Sequence, residues 1–553
     1  MRDAVAKTKR RVEELDPYKA TRLGYLNTLQ RMVRQGRLER KEYLCAAAAR
    51  SGQLEALKSL CADGCPWDSG ACDAAAATGN FEVMKWLSAK GCPWSPCACI
   101  RACKFDQVEM LKWLLANDAP IDTYELQSHL VKKGHLDILK SLWALHGESA
   151  FPGYFWKFLC PNAAKAGLLE VLKWARSISS DWGYPKEAVC KAAAESGYLD
   201  VLRWAHENGA PWGKITCMLA VKNGHLEVLK YLRANECPWY DYACSEAAYE
   251  GQLEVLKWLR EIGDSWDWET CVEAAKGGHL EVLQWLHANG CQWDARTCSS
   301  AAEGGHLEVL QWLRANGCPW DAGTCMLAAQ GGYLEVLQWL RANGCPWNER
   351  TCRWAAKGGH FELLQWARAK SCPWDEETCS GAAEGGHFEL LQWARANDCP
   401  WETYTCSRAA EGGHLDMLQW AHANGCPWDE QTCSRAAEGG HLEVLQWARA
   451  NGCPWDEETC SFAAQNGHLE VLQWARANGC RWDARTCSSA AKGGHLEGLQ
   501  WAHANGCPWD EKTCEYAKGY LHREVYNWAV VNGAPVTEAL TVLELMMTRT
   551  FIS

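Results

Sequence analysis

Residues 425–451 read GCPWDEQTCSRAAEGGHLEVLQWARAN, and residues 452–478 read GCPWDEETCSFAAQNGHLEVLQWARAN. Most of the chain consists of copies of this 27-residue unit. A fixed period of this size means a stack of small units, because each is too short to enclose a core of its own. The pattern predicts a first helix from about Glu430 to Glu438. Asp429 or Thr432 can accept from its first free N–H groups, and the acidic residues suit the positive helix start. Ala436 and Ala437 let a neighbouring helix approach closely. Gly439 and Gly440 end the helix, since glycine tolerates the left-handed backbone of a tight turn. A second helix is predicted from about His441 to Ala450, with Leu442, Val444, Leu445 and Trp447 as its apolar stripe. Gly452 ends it and Pro454 forbids its continuation.

Following the His441 position along the chain gives 18 units, from Gln53 to His522. Every interval from Tyr198 to His522 is 27 residues, while those from Gln107 to His135, Leu168 and Tyr198 are 28, 33 and 30. The chain therefore divides into a basic helical N-terminal segment (1–42), a repeat array (43–535) and a terminal segment (536–553). The array is irregular over about 100–198 and regular over 198–522. Leu26, Leu29, Met32 and Val33 fall at helical spacing and suit a helix covering the first unit. Leu540, Leu543, Met546 and Met547 suit a helix covering the last, since terminal units need a cap.

The stretch AAEGGHLEVLQWARANGC resembles the ankyrin repeat, in which two alanines, a glycine turn, His-Leu-Glu and an apolar helix lead into Gly-Ala. The resemblance covers about residues 43–535 and implies an all-α fold: a curved solenoid of about 18 stacked helix-turn-helix units. One departure matters. The family's unit has 33 residues and carries a β-hairpin between one second helix and the next first helix. Here only about six residues, Trp455 among them, join the second helix to the next first helix, so the hairpin is expected to shrink to a tight turn. The interval from His135 to Leu168 has room for a full-length connection. Arrays of short units with CPW and TC signatures resemble those of protists and the large DNA viruses that infect them.

Seventeen units carry Cys eight residues before the His441 position, as at Cys433, with Gln127 the exception; twelve carry a second in the Gly-Cys turn, as at Cys426. Zinc takes four ligands at about 2.0–2.3 Å, whereas stacked helices lie about 8–10 Å apart. A ladder of equivalent cysteines does not converge on one ion, so packing is the expected role. Fifteen units place Trp on the second helix (Trp447) and fifteen in the turn (Trp455). Both positions match buried family positions, so both rings are expected in the core. The recurring histidines are expected to hydrogen-bond a neighbouring loop.

The net charge of −12 and pI of about 5.8 argue against a broad phosphate-binding surface. No apolar run approaches the length needed to span a bilayer. The first residues, MRDAVAKTKRRVEEL, lack the apolar core of a secretory signal. With 32 cysteines and no export signal, a reducing cytoplasmic or nuclear compartment is expected. No nucleophile–base pair, phosphate-cradling loop or paired carboxylate stands out from the repeat, so neither an enzyme nor a cofactor is expected, and a monomer is.

Comparing copies separates constant from varying positions. The residue before the two alanines varies, as in Leu327, Trp354, Arg408, Arg435, Phe462 and Tyr516. So does one in the turn before the first helix, as in Arg350 and Tyr404. The resemblance implies that first helices and turns line a concave face, on which the family commonly binds proteins. Tryptophan, tyrosine and arginine are enriched in binding hot spots. These eight residues are the candidate partner-binding set of a non-enzymatic protein–protein interaction scaffold. A substrate adaptor for a ubiquitin ligase, or a thiol- or metal-handling protein using the cysteine ladder, is the alternative. A second candidate surface is the aromatic cluster Phe151, Tyr154, Phe155, Trp156 and Phe158, which either fills a break in the stack or docks a partner.

Overall fold

The computed structural model describes residues 25–34, 42–146, 153–179, 182 and 186–536. These form 37 helices and no strand: the helix Leu26–Arg34, then 18 consecutive helix pairs from Glu42–Arg50 to Arg523–Val531. The chain falls into two compact units, Met1–Ala243 with Glu254–Leu259, and Cys244–Leu253 with Arg260–Ser553. Within each, the first helix of a pair packs most closely on the first helices before and after it, and second helices approach one another less.

The pair Glu430–Glu438 and Leu442–Ala450 shows why. The first helix buries Thr432, Cys433, Ser434, Ala436 and Ala437, so both of its packed sides are small. The second buries Val444, Leu445 and Ala448. Asp429 caps the first helix: its backbone is extended and its Oδ1 accepts from Gln431 N–H at 3.1 Å. His441 occupies the N-cap of the second helix, one residue before its start. The turn that follows closes tightly. The Asn451 side-chain amide donates to the Trp447 carbonyl at 2.8 Å, and Cys453 N–H to the Ala448 carbonyl at 3.0 Å. Gly452 takes φ +87°. This turn replaces the hairpin of the longer family unit.

Several units are tied to the preceding one through this histidine. His468 Nε2 lies 3.0 Å from the Glu438 carbonyl, and His306, His360, His387 and His522 repeat the contact at 2.9–3.1 Å. A carbonyl only accepts, so Nε2 carries the proton. The imidazole also rests on Gly440, where an added Cβ would lie 2.6 Å from His468 Cε1. Gly440 thus meets two demands, a left-handed φ of +77° and the absence of a side chain.

The tryptophans correct the expectation that both rings lie in the core: Trp447 and Trp455 are half-buried. They form a ladder outside the Leu–Val–Ala layer. Trp428 meets Trp447 edge-on with ring centroids 5.9 Å apart, and Trp455 meets Trp474 at the same distance. The guanidinium of Arg449 covers Trp455 at 4.1 Å and donates to the Cys453 carbonyl. Where the unit carries His422 in place of arginine, the imidazole stacks on Trp428 at 3.6 Å. Trp182 alone among the described tryptophans reaches full burial, under Arg176.

In the first compact unit, Leu26, Leu29 and Met32 are buried, and their helix packs on Glu42–Arg50. In the long interval the described chain forms helix: Leu136–His146 has 11 residues, as does Thr123–Lys133 before it, and Gly153–Lys165 has 13. Phe158 is exposed; Phe151 and the side chains of Tyr154, Phe155 and Trp156 lie outside the described residues, as does the terminal segment beyond 536.

Candidate functional site

A first helix packed on both sides offers one outward edge. Residues 432, 433, 436 and 437 face the stack, which turns residues 431, 435 and 438 outward. All eight candidate residues lie in the second compact unit, on first helices from Ala322–Gln330 to Glu511–Gly519. Arg350 and Tyr404 are exposed, the latter 48%. Leu327, Trp354, Arg408, Arg435, Phe462 and Tyr516 are half-buried, on first helices that pack on one another.

Side chains one helical turn on hold this ridge in place. Arg408 pairs with Glu411 at 2.7 Å and Arg435 with Glu438 at 2.5 Å. Lys357 lies 5.0 Å above the Trp354 ring and pairs with Glu384 on the next first helix at 2.8 Å. Arg353 reaches Glu377, also one unit on, at 2.8 Å. Half-exposed pairs of this kind add little stability, but they fix the direction of the aromatic and guanidinium groups. Arg435 touches Phe462 directly, its guanidinium carbon 5.8 Å from the ring centre. Tyr516 meets Tyr520 edge-on at 6.4 Å. Gly381, between Trp354 and Arg408 in the series, marks a close approach: a Cβ there would sit 2.8 Å from the Arg353 carbonyl. Sequence reasoning misses Lys357, Glu384, Glu411 and Glu438, although the three-residue spacing of Arg408–Glu411 and Arg435–Glu438 is a signal for two of them.

The cysteine ladder has different chemistry. Cys433 and its equivalents are fully buried, and the turn thiols donate to the N-cap carbonyl of the helix pair they follow, as Cys453 Sγ does to Asp429 O at 3.4 Å. Contact with Cys453 and then burial push the Cys433 thiol well above its ordinary range. Burial, with a smaller contribution from Glu187, lifts Cys190 to about 12. Thiolate chemistry needs the opposite shift; contact with the thiols of Cys72, Cys271 and Cys460 gives it to the buried Cys92, Cys291 and Cys480. Among the described residues no three His, Cys, Asp or Glu side chains are placed to hold a metal ion. Cys97 is exposed and Cys61 and Cys65 are half-buried; the other cysteines are buried. No described helix is long and apolar enough to cross a membrane.

The family model described as ankyrin repeats (many copies) matches residues 190–233, 271–314 and 406–449. Each match spans two successive helix pairs. No curated protein matches the chain. Among solved structures, the pentatricopeptide repeat protein PPR10 in complex with an 18-nucleotide psaJ RNA element is 14% identical. It aligns over 97% of this chain and 92% of its own with a TM-score of 0.30. The human ASB11 ankyrin repeat domain is 20% identical over 28% of this chain and 84% of its own, with a TM-score of 0.25.

Proposed function

This chain is an ankyrin-repeat protein, and on that premise we propose that it is a non-enzymatic scaffold whose first-helix ridge captures a protein partner. One observation carries the reading. Positions that pack, cap or turn are nearly constant from copy to copy, whereas Leu327, Arg350, Trp354, Tyr404, Arg408, Arg435, Phe462 and Tyr516 differ and stand on one outward edge. A structural repeat fixes the first set. Selection on a bound surface accounts for a series of tryptophan, tyrosine, phenylalanine and arginine in the second. The carboxylates paired with Arg408 and Arg435, and the net charge of −12, favour a folded protein or peptide over a polyphosphate backbone. The ridge lies on the face that the family resemblance makes concave, and one chain suffices to form it.

The test compares the full chain with a variant carrying Trp354→Ala, Tyr404→Ala, Arg408→Ala and Phe462→Ala as baits in the source cells. The reading expects a protein recovered by the parent chain and lost by the variant, with the thermal unfolding of the two chains closely similar. Equal recovery by both overturns it.

A further inference from the structure

The first helix pair breaks the cysteine pattern that the rest of the array keeps. Cys45, on Glu42–Arg50, is a buried first-helix cysteine equivalent to Cys433, and Cys65 is the turn cysteine equivalent to Cys453. Among the turn cysteines Cys65 alone is half-buried; the others are buried. Cys61 adds a third thiol, also half-buried, at the end of Leu54–Ala62. It stands at the Arg449 position, where no other unit carries cysteine. Arg449 donates to the carbonyl of its turn cysteine, so a thiol at that position is set beside the same turn.

The backbone gathers the three sulfurs. Gly64, at φ +75°, reverses the chain after the helix; its N–H donates to the Cys61 carbonyl at 3.1 Å, and Cys65 N–H donates to the Leu60 carbonyl at 2.9 Å. The Cys45 thiol is in hydrogen-bonding contact with both Cys61 and Cys65. In Cys433 with Cys453, and in Cys72 with Cys92, the same contact joins two buried thiols. Here one buried thiol touches two that a solute can reach.

We propose that Cys45, Cys61 and Cys65 form a thiol–disulfide exchange site for low-molecular-weight disulfides of the glutathione class. The Cys61 thiolate attacks one sulfur of the solute, whose S–S bond breaks; a mixed disulfide forms and the first solute thiolate leaves. The Cys45 sulfur then attacks the Cys61 sulfur. The second solute thiol departs with the Cys45 proton, and a Cys45–Cys61 disulfide remains. Two protein thiols are oxidised and one solute disulfide is reduced to two thiols. Attack of Cys65 on Cys45 moves the bond to Cys45–Cys65 and frees Cys61. Burial raises the Cys61 thiol while the hydrogen bond with Cys45 opposes that shift, so exchange is slow at neutral pH and quickens in mild alkali. A Cys45–Cys61 bond joins the two helices of the first pair across a separation of 16 residues. The site lies in the first compact unit and is independent of the ridge, whose residues all belong to the second.

Peptide mass mapping of the full-length chain after incubation with oxidised glutathione at about pH 8.5 tests the proposal. Remaining thiols are alkylated in denaturant. Cys45 should be recovered joined to Cys61 or Cys65 before any buried pair, such as Cys72 with Cys92, is oxidised. Amide exchange in 42–62 should slow at least about tenfold on oxidation, because the bond closes a loop between the two helices. Cys61→Ser, at a half-buried position, should still give Cys45–Cys65. Cys45→Ala with Cys65→Ser removes both resolving thiols, and glutathione should stay on Cys61. Recovery of alkylated Cys45 from the unchanged chain, with glutathione on Cys61 and Cys65 or those two joined to each other, overturns the proposal. So does oxidation of a buried pair ahead of Cys45.

Discussion

His468 lies over Gly440, the left-handed residue of the unit before it, and points its Nε2–H at the Glu438 carbonyl in the same turn. One imidazole thereby reads both the backbone conformation and the missing side chain of its neighbour. By contrast, Gly452 is left-handed at φ +87° with open space where a Cβ would go. The chain itself marks the difference: Glu236, Ser371 and Asp398 occupy the Gly452 position at positive φ.

Gly440→Ala should therefore cost about 3 kcal/mol, from the left-handed alanine and the displaced histidine together. Gly452→Ala should cost about 1 kcal/mol, from the backbone alone. Hydrogen exchange of the flanking helices would rank the two, and an equal or larger loss for Gly452→Ala would refute the double role of Gly440.

Acid should loosen the ladder. His414 is held below its ordinary value of 6.5 by burial and then by His441 and His387 on either side; His495 is lowered first by burial and then by His468 and His522, against a backbone hydrogen bond to Gln465. A histidine depressed in the folded state binds protons more readily once unfolded. Its contribution is complete above about pH 6.5 and is lost as pH falls through that value toward the folded pKa. Melting should decline from about pH 7.5 to about pH 5.5, and more shallowly in His414→Gln with His495→Gln. An unchanged slope in that variant would remove these two residues from the effect.

The Arg–Trp stack should tolerate histidine and not alanine. Arg449→Ala removes a cation over Trp455 and a donor to the Cys453 carbonyl, together about 1–2 kcal/mol. Arg449→His should restore most of the loss, because His422 already stacks on Trp428 at 3.6 Å. Urea unfolding followed by tryptophan fluorescence would read both variants, and equal losses would argue against stacking as the cause.

A thiol reagent should divide the 32 cysteines sharply. In the folded chain Cys97, Cys61 and Cys65 should label first, and the remainder should label only on unfolding. Mass spectrometry of the labelled peptides would show which react; early modification of Cys433 or Cys453 would contradict their burial.

How much of this can be read from the residues depends on the range of the interaction. The first helix is found at the bounds the pattern predicts, Glu430–Glu438, because its cap, alanine pair and glycine stop are local signals. The second begins one residue late, at Leu442, since His441 serves as its cap. A histidine bond to a neighbouring loop is expected from the sequence, but its acceptor lies 30 residues back and only the stack identifies it. The tryptophans mislead for a related reason. Periodicity places Trp447 on the apolar stripe without saying that the turn rings lie outside it, where His422 covers Trp428 and Arg449 covers Trp455. The long interval before Leu168 leaves room for a projecting connection, yet its described residues form longer helices. On the ridge, variation between copies singles out the positions, while the ion pairs linking Lys357 to Glu384 and Arg353 to Glu377 need the neighbouring unit in place.

The histidine contact also bears on how such a chain changes over generations. His468 recognises a carbonyl and a bare glycine, and the preceding unit offers the same pair at Glu411 and Gly413. Recombination that removed residues 425–451 would bring His468 onto that equivalent seat and leave every packed layer matched. The ridge, however, would lose Arg435 and set Arg408 beside Phe462. Unequal crossover between near-identical copies can thus rewrite the outward series in whole-unit steps while the interior stays the same.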